Sequence, residues 1–439
     1  MHQLLRYWHT LRHLRPVQFY GRLWFRLYRP RPGNRGRRNR GRTTFPQTTF
    51  SQLERFHPER NKGQTTFSQL ERFTPAARNP SDEPKGQSPF PLLHPISMLG
   101  PARFRFLNQT QDVTGPEAWN DAARDKLWLY NLHYFDDLNA AADQCAADAL
   151  NADADQCATA ERNFVADSIR ADWHRALVQR WISENPPGQG NGWEPYPTSL
   201  RIVNWVKWLL REGVIPAGTT GTNETDRFNS ASAQQANTAI LNSLAIQTSW
   251  LSRRLEHHLL GNHLFANAKA LVFAGAFFVG PEAKRWLRRG QRLLRRELEE
   301  QILADGGHFE RSPMYHAILL EDLLDLLTLA DVYPGVLDAS LLALGRAKAV
   351  AMLDWLAAMT HPDGQISLFN DAAFGIAPTQ AQLECYARAI SIAADMTNPA
   401  ASVLPATSPS VPPATSPSVI PAGKPESRPR TVPRKQHQR

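Results

Sequence analysis

Cysteine is scarce: the 439 residues hold three, Cys145, Cys157 and Cys385, with no CxxC spacing. That excludes both a disulfide framework and a thiolate zinc site, and leaves Cys385 expected in the core. No apolar run reaches the roughly 18 residues that crossing a bilayer needs. The N-terminus is basic but has neither the apolar stretch nor the small-residue cleavage site of a secretory signal, so a cytoplasmic product is the default expectation, and a periplasmic one if the true start differs. HExxH, a glycine-rich phosphate loop and a nucleophile elbow are all missing. Without ligand spacing among His257, His258, His263 and His308, no metal is expected, and no other cofactor.

Acidic residues are absent from the first 42 positions, which carry twelve arginines, while residues 398–439 hold six Lys or Arg against one Glu. These ends contribute +12 and +5 to a net charge of +9, so the residues between them carry −8. A nucleic-acid binder normally carries its basic stripe on the folded module beside a recognisable motif, and neither is present here, so no nucleic-acid partner is expected.

Four regions follow from composition and periodicity. Residues 1–42 form a basic amphipathic segment, with Leu, Trp, Phe and Tyr at helical spacing up to Pro30. It is expected to dock on the main body with its arginines outward; a membrane-surface or partner-binding helix is the other reading. Residues 43–94 read as a linker containing a duplicated segment, QTTFSQLERF, at 47–56 and 64–73. Two copies cannot build a solenoid. ADQCA (142–146 and 154–158) and PATSPSV (405–411 and 413–419) are also doubled, as copying slippage in a gene would leave them. Residues 95–397 form the body, with helices expected near 164–184, 198–212, 230–260, 263–278, 282–303, 314–333, 338–360 and 378–396. Thr198 and Ser199 read as a helix start, and so does Pro281. DGGHFE (305–310) and DGQISLFND (363–371) break the series. Residues 398–439 are Pro-, Ser- and Thr-rich and are expected to be disordered.

Within the body four segments stand in order: LYNLHYFDDL (129–138), GWEPYPTSLRIVNW (192–205), GNHLFANAKAL (261–271) and DGGHFERSPMYH (305–316), the last followed by LEDLLDL. Read locally, Asn262 precedes an apolar-periodic run and could cap that helix. Pro313 opens a helix with Tyr315 and His316 in its first turn, where an aromatic residue usually packs. The aromatic residues of the first two segments are interrupted by polar ones and read as loops. Together the four segments resemble heparinase II/III-type polysaccharide lyases over roughly 95–375.

The resemblance implies an all-α fold, an incomplete (α/α) toroid of antiparallel helix pairs, and an acidic, uronate-containing polysaccharide as partner. Cleavage would be by β-elimination: a proton leaves C5 beside the uronate carboxylate and the C4 glycosidic oxygen departs. The carboxylate must be neutralised or hydrogen-bonded as charge moves onto it, a task suited to an amide. A base must reach C5, and an acid must protonate the leaving oxygen. On that pattern Asn262, Tyr315 and His263 are the catalytic candidates. His308, Glu310, Arg311, Trp193, Tyr196, Tyr130 and His133 are the substrate-binding ones. The chain departs from the family in lacking a HAHAD-type motif and a run of alternating strands after 371. The expectation is therefore a truncated chain whose activity alone is in question. The alternatives are a non-catalytic glycan-binding remnant and a glycoside hydrolase using Glu310 and Asp371.

Overall fold

The computed structural model describes residues 15–28, 89–141, 156–212 and 231–392. The 47–56/64–73 and 405–419 repeats, most of the ADQCA pair, Cys145, the Cys157 side chain and the 398–439 tail lie outside the described residues. The described part is mostly helical: α1 (Pro16–Leu27), α2 (Lys126–Tyr134), α3 (Gln156–Glu184), α4 (Pro195–Arg211), α5 (Ala231–Leu251), α6 (Gly261–Phe277), α7 (Pro281–Gln301), α8 (Pro313–Val332), α9 (Ala339–Ala358) and α10 (Gln380–Ala389). The strands are short: β1 (His94–Pro95), β2 (Met98–Gly100), β3 (Arg103–Phe106), β4 (Gln109–Asp112) and β5 (Ala140–Ala141). β2, β3 and β4 form an antiparallel meander, and β1 pairs with β5 in parallel.

Helix type follows burial. α6 and α8 are apolar nearly all round and lie inside, as such helices must. α4 is buried over most of its length. α7 buries Ala283, Trp286, Gly290, Leu293, Leu294 and Leu298, a single stripe, and turns its arginines outward. α9 does the same with Leu341, Gly345, Ala349, Met352, Leu353 and Leu356. Inner helices therefore alternate with outer ones. α6 and α7 are antiparallel and close: a Cβ on Gly275 would sit 2.6 Å from the Leu287 nitrogen, and one on Gly290 would sit 2.9 Å from that of Val272. Only glycine permits that approach.

Charges join the inner helices. Lys269 on α6 donates to Asp322 and Asp325 on α8, at 2.6 Å each. Lys207 on α4 donates to both oxygens of Asp325 at 3.0 Å, and the Tyr386 hydroxyl of α10 donates to Asp325 at 3.0 Å. All five side chains are buried. Burial works to raise the Asp325 carboxyl, and the two ammonium groups outweigh it, holding it down at about 2. Near this network Glu321 takes a 2.9 Å hydrogen bond from the His94 imidazole, which ties β1 to α8. Burial alone would lower His94, yet the Glu321 carboxylate raises it to about 9. A second junction is Asp137. It accepts from the Ser97 and Met98 amides, from Arg170 and from His174, and so fastens the β-meander to α3.

An aromatic cluster packs between α2, α3, α4 and α5. Trp181 touches the rings of Trp193 and Trp205, Trp193 touches that of Trp250, and the buried Arg201 guanidinium lies 3.9 Å above the Trp181 ring. Arg201 donates to Gln247 and to the carbonyls of His133 and Gly192, so the charge is hydrogen-bonded throughout.

Several expectations change. LYNLHYFDDL is mainly helix α2, because Asp125 caps it by accepting from the Leu127 and Trp128 amides. WEPYP is a short 3-10 turn running into α4, which starts at Pro195 rather than after Ser199. The Thr198 and Ser199 hydroxyls instead bond back to the carbonyls of Glu194 and Pro195. The helix expected over 230–260 ends at Leu251, and the last one ends at Ala389. The β-meander was not foreseen, since its hairpin turns on Leu107 and Asn108, both at positive φ, instead of an Asn-Gly pair. Cys385 is exposed: Leu383, Tyr386 and Ala387 form the inward face of α10, and position 385 falls outside it.

Two outcomes follow for stability. Lys269→Met leaves two buried carboxylates sharing one cation, and it should lower the urea-unfolding free energy by about 3–5 kcal/mol. The folded-state pKa of His94 lies above its unfolded value, so its contribution is full below about pH 6.5 and fades as pH rises through about 9. Unfolding free energy measured from pH 6 to 10 should fall in that window for the wild type, and His94→Asn should flatten that part of the curve.

Candidate functional site

The site forms where inner helices begin. The chain enters α6 through Leu260 and Gly261, both at positive φ, and no Leu260 side chain caps the helix. Glu310, 48 residues further on, does so: its Oε1 accepts the Asn262 amide at 3.2 Å. A carboxylate is favoured there because the first-turn N–H groups point at it. Gln301 donates to the Gly261 carbonyl at 2.9 Å and completes the clasp. The Asn262 side chain therefore does not cap α6; it sits half-buried in the first turn. His263 follows it, its Nδ1 3.3 Å from Glu256 Oε2, with its ring against Tyr196 at 4.5 Å. Asn267, one turn further along α6, fixes Glu256 by accepting its amide at 2.8 Å and donating to its carboxylate at 3.2 Å.

The 305–316 segment holds the other half. Ile302 and His308 pair across a tight turn, and Ser312 caps α8 by accepting the Tyr315 amide. Tyr315 is half-buried at the start of α8. Burial, then the charges of Asp371 and Glu310, raise its phenol above the usual value, so it is a neutral proton donor at pH 7. Thr360 and Ile366 make a second bridge of the same kind. Past it, Asn370 donates to the Glu310 and Arg311 carbonyls at 3.1 Å each, locking the two turns together. Arg311 is exposed and holds a left-handed backbone, φ 56.

Tyr196, at the start of α4, lies edge-on to Tyr134, and Tyr315 is among the groups that raise its pKa after burial itself. Tyr130 gives its hydroxyl to Glu194, which Lys126 also contacts at 3.1 Å. Burial and then Glu194 push the Tyr130 phenol upward.

Three expected contacts are not open to a ligand. His133 is wholly buried, its Nε2 on the Trp119 carbonyl and its Nδ1 accepting from Trp181. Burial, aided by Arg201, lowers it to about 3. Trp193 is buried and donates to the Asn185 carbonyl. His308 bonds Gln301 at 3.1 Å, and its amide donates to His316 Nδ1. Burial and His316 hold its ring at about 3. These residues brace the site from beneath. Sequence reasoning missed Glu256, Glu194 and Asn370. Glu194 stands within WEPYP and Asn370 within DGQISLFND, but their partners lie 64 and 60 residues away, too far for spacing to reveal. Among the described residues no cluster of three or more His, Cys, Asp or Glu is arranged to hold a metal ion.

Against known families, residues 219–392 match the profile described as Heparinase II/III N-terminus. That stretch is similar to the N-terminal region of heparinase II/III-type proteins. The match contains α5 to α10, with Asn262 and Tyr315, and excludes the two upstream aromatic segments. The heparin-sulfate lyase of Bacteroides stercoris is 39% identical over 74 residues, 17% of this chain and 11% of that protein. Its counterpart in Pedobacter heparinus is 38% identical over 84 residues, 18% and 12% of the two chains. In Bacteroides thetaiotaomicron the heparin-sulfate lyase is 28% identical over 156 residues, 30% and 22%. The alignments thus span from about a tenth to about a fifth of these relatives. Among solved structures, heparan sulfate lyase HepC from Pedobacter heparinus aligns at a TM-score of 0.43 and 21% identity over 67% of this chain and 44% of that one. Heparinase III aligns at 0.39 and 22%, over 52% and 34%.

The turn into α6 gives a direct test. A Cβ at Gly261 would fall 2.2 Å from Glu310 Oε1, whereas at Gly335, also left-handed, it would meet nothing within 4 Å. Gly261→Ala should cost at least about 1 kcal/mol more than Gly335→Ala in denaturant unfolding, because it breaks the carboxylate cap as well as straining the backbone.

Proposed function

We propose that this site binds an acidic, uronate-containing polysaccharide and cleaves it by β-elimination, as a polysaccharide lyase-like region on an incomplete α/α toroid. The observation that carries the reading is the convergence of Asn262 and His263 with Tyr315, from the first turns of α6 and α8, with Tyr196 beside them. The heparinase II/III-type sequence supports it.

Each residue type fits one task. The Asn262 amide donates to the uronate carboxylate without titrating, and stabilises it as negative charge spreads from C5. His263, whose Nδ1 lies 3.3 Å from Glu256, takes the C5 proton. That electron pair forms the C4–C5 double bond, and the C4–O bond breaks. Tyr315, kept protonated by burial and by two carboxylates, gives its proton to the departing oxygen. Arg311, exposed beside it, is placed to pair with a further acidic group of the chain. A hydrolase would need Glu310 free, whereas Glu310 holds the α6 backbone.

Elimination leaves an unsaturated uronate, visible by ultraviolet absorbance. With heparan sulfate and a panel of other uronate glycans, the wild type should produce it, and Tyr315→Phe and Asn262→Ala should each reduce the rate by about a hundredfold or more. Glycan retention without product from any substrate would remove the catalytic part of the reading and leave a binding module. Saturated product ends would replace elimination with hydrolysis.

A further inference from the structure

α1 faces the wrong way for a helix that merely covers the core. It touches the body along one edge: Gly21 lies against His258, Phe25 packs on the His258 ring at 4.3 Å with Arg254 above it at 4.0 Å, and Arg15 pairs with Glu300. Arg254 also donates to the Tyr28 carbonyl at 3.1 Å. The broader arc, Val17, Tyr20, Leu23, Trp24 and Leu27, is turned outward, with Trp24 61% and Leu27 76% exposed. At 100° per residue these positions form one continuous face. Arg26 lies next to its Leu23 edge and Arg22 further round, toward the docked edge; both are exposed. The expected arrangement had arginines outward over a docked apolar face; the structure exposes both.

We propose that α1 is a peripheral docking helix that lays this face on an anionic lipid surface. Charge selects the occupant. The first 42 residues carry twelve arginines and no acidic residue, so a second copy of the segment would bring like charge against like. An anionic glycan would satisfy the arginines but leave Leu23, Trp24 and Leu27 in water. An anionic bilayer satisfies both: acyl chains take the aliphatic and indole groups, and headgroups take the guanidiniums. Trp and Tyr on such a face suit the headgroup level. At 12 residues α1 is about 18 Å long, which lets it lie on a bilayer but not cross it.

Vesicle co-sedimentation of the full chain tests this, with phosphatidylcholine alone and with roughly 25% phosphatidylglycerol. Binding should need the anionic lipid, weaken with salt, and fall about tenfold or more in Trp24→Ser/Leu27→Ser. Both side chains are exposed, so far-UV circular dichroism and the unfolding midpoint should match the wild type. Arg22→Gln/Arg26→Gln should reduce the salt dependence. The proposal is overturned if vesicles of both compositions fail to bind, if the apolar double variant binds like the wild type, or if sedimentation shows a dimer that the same substitutions dissolve. The last result would put a second copy on the face.

Discussion

The buried contact of Lys269 with Asp322 and Asp325 sets the register on which the site depends. Lys269 lies seven residues after Asn262 on α6, and Asp322 lies seven after Tyr315 on α8. Seven residues are two turns, so each pair shares a helix face. Joining Lys269 to Asp322 therefore brings Asn262 and Tyr315 level at the ends of two parallel helices. On the other side of α6, the Tyr196–His263 ring contact and the Ser199–Asn267 hydrogen bond are spaced by 67 and 68 residues, so α4 runs parallel to α6 in one register. Lys207 carries the network into α4, and Tyr386 carries it into α10. The outer helices return the chain and leave inner-helix starts together at one end.

At that end the polar residues divide by what surrounds them. Arg201, Asn267, His133 and His316 are buried and spend their polar atoms on protein partners, and buried His308 bonds Gln301 through its Nε2. Their imidazoles are held neutral by burial. Asn262, His263, Tyr196 and Tyr315 stay half-buried above them. Glu310 and Asn370 hold two turns from different hairpins against the start of α6, so the open residues rest on loops cross-tied by hydrogen bonds. Such cross-ties would give the candidate residues the precision that the proposed chemistry needs.

How much of this could be read in the sequence varied with the range of the signal. Helices with a full 3.6-residue pattern were legible, and Pro281 and Pro313 marked their starts correctly, because those signals are local. α2 was not, since its aromatic and polar residues mask the pattern and a single capping aspartate, Asp125, defines it. The hairpin at Leu107–Asn108 lacked the turn residues that would announce it. Asn262, His263 and Tyr315 enter as candidates only through the family resemblance, since no local pattern singles them out. His133 and His308 look, in sequence, like the His263 beside Asn262; only their burial separates them, and it comes from Trp181 and Gln301, which belong to other helices. The Glu310 cap was invisible for the same reason, being a contact across 48 residues.

A buried ion network is weak evidence of stability, since apolar residues of similar shape often do as well. Its value here is in what the surrounding sequence leaves undecided. α8 reads AILLEDLLDLLTL and is apolar nearly all round, so sliding it one turn along α6 would exchange leucine for leucine at little cost in buried area. A one-turn slip moves Tyr315 by about 5.4 Å relative to Asn262 and would take apart the proposed site. It also separates Asp322 and Asp325 from Lys269 and leaves charges unpaired in the core, a penalty of several kcal/mol. The leucines supply cohesion without register, and the three charges supply register. For that reason the acidic residues of LEDLLDL, which contact no proposed substrate group, belong to the site as much as the tyrosine two turns before them.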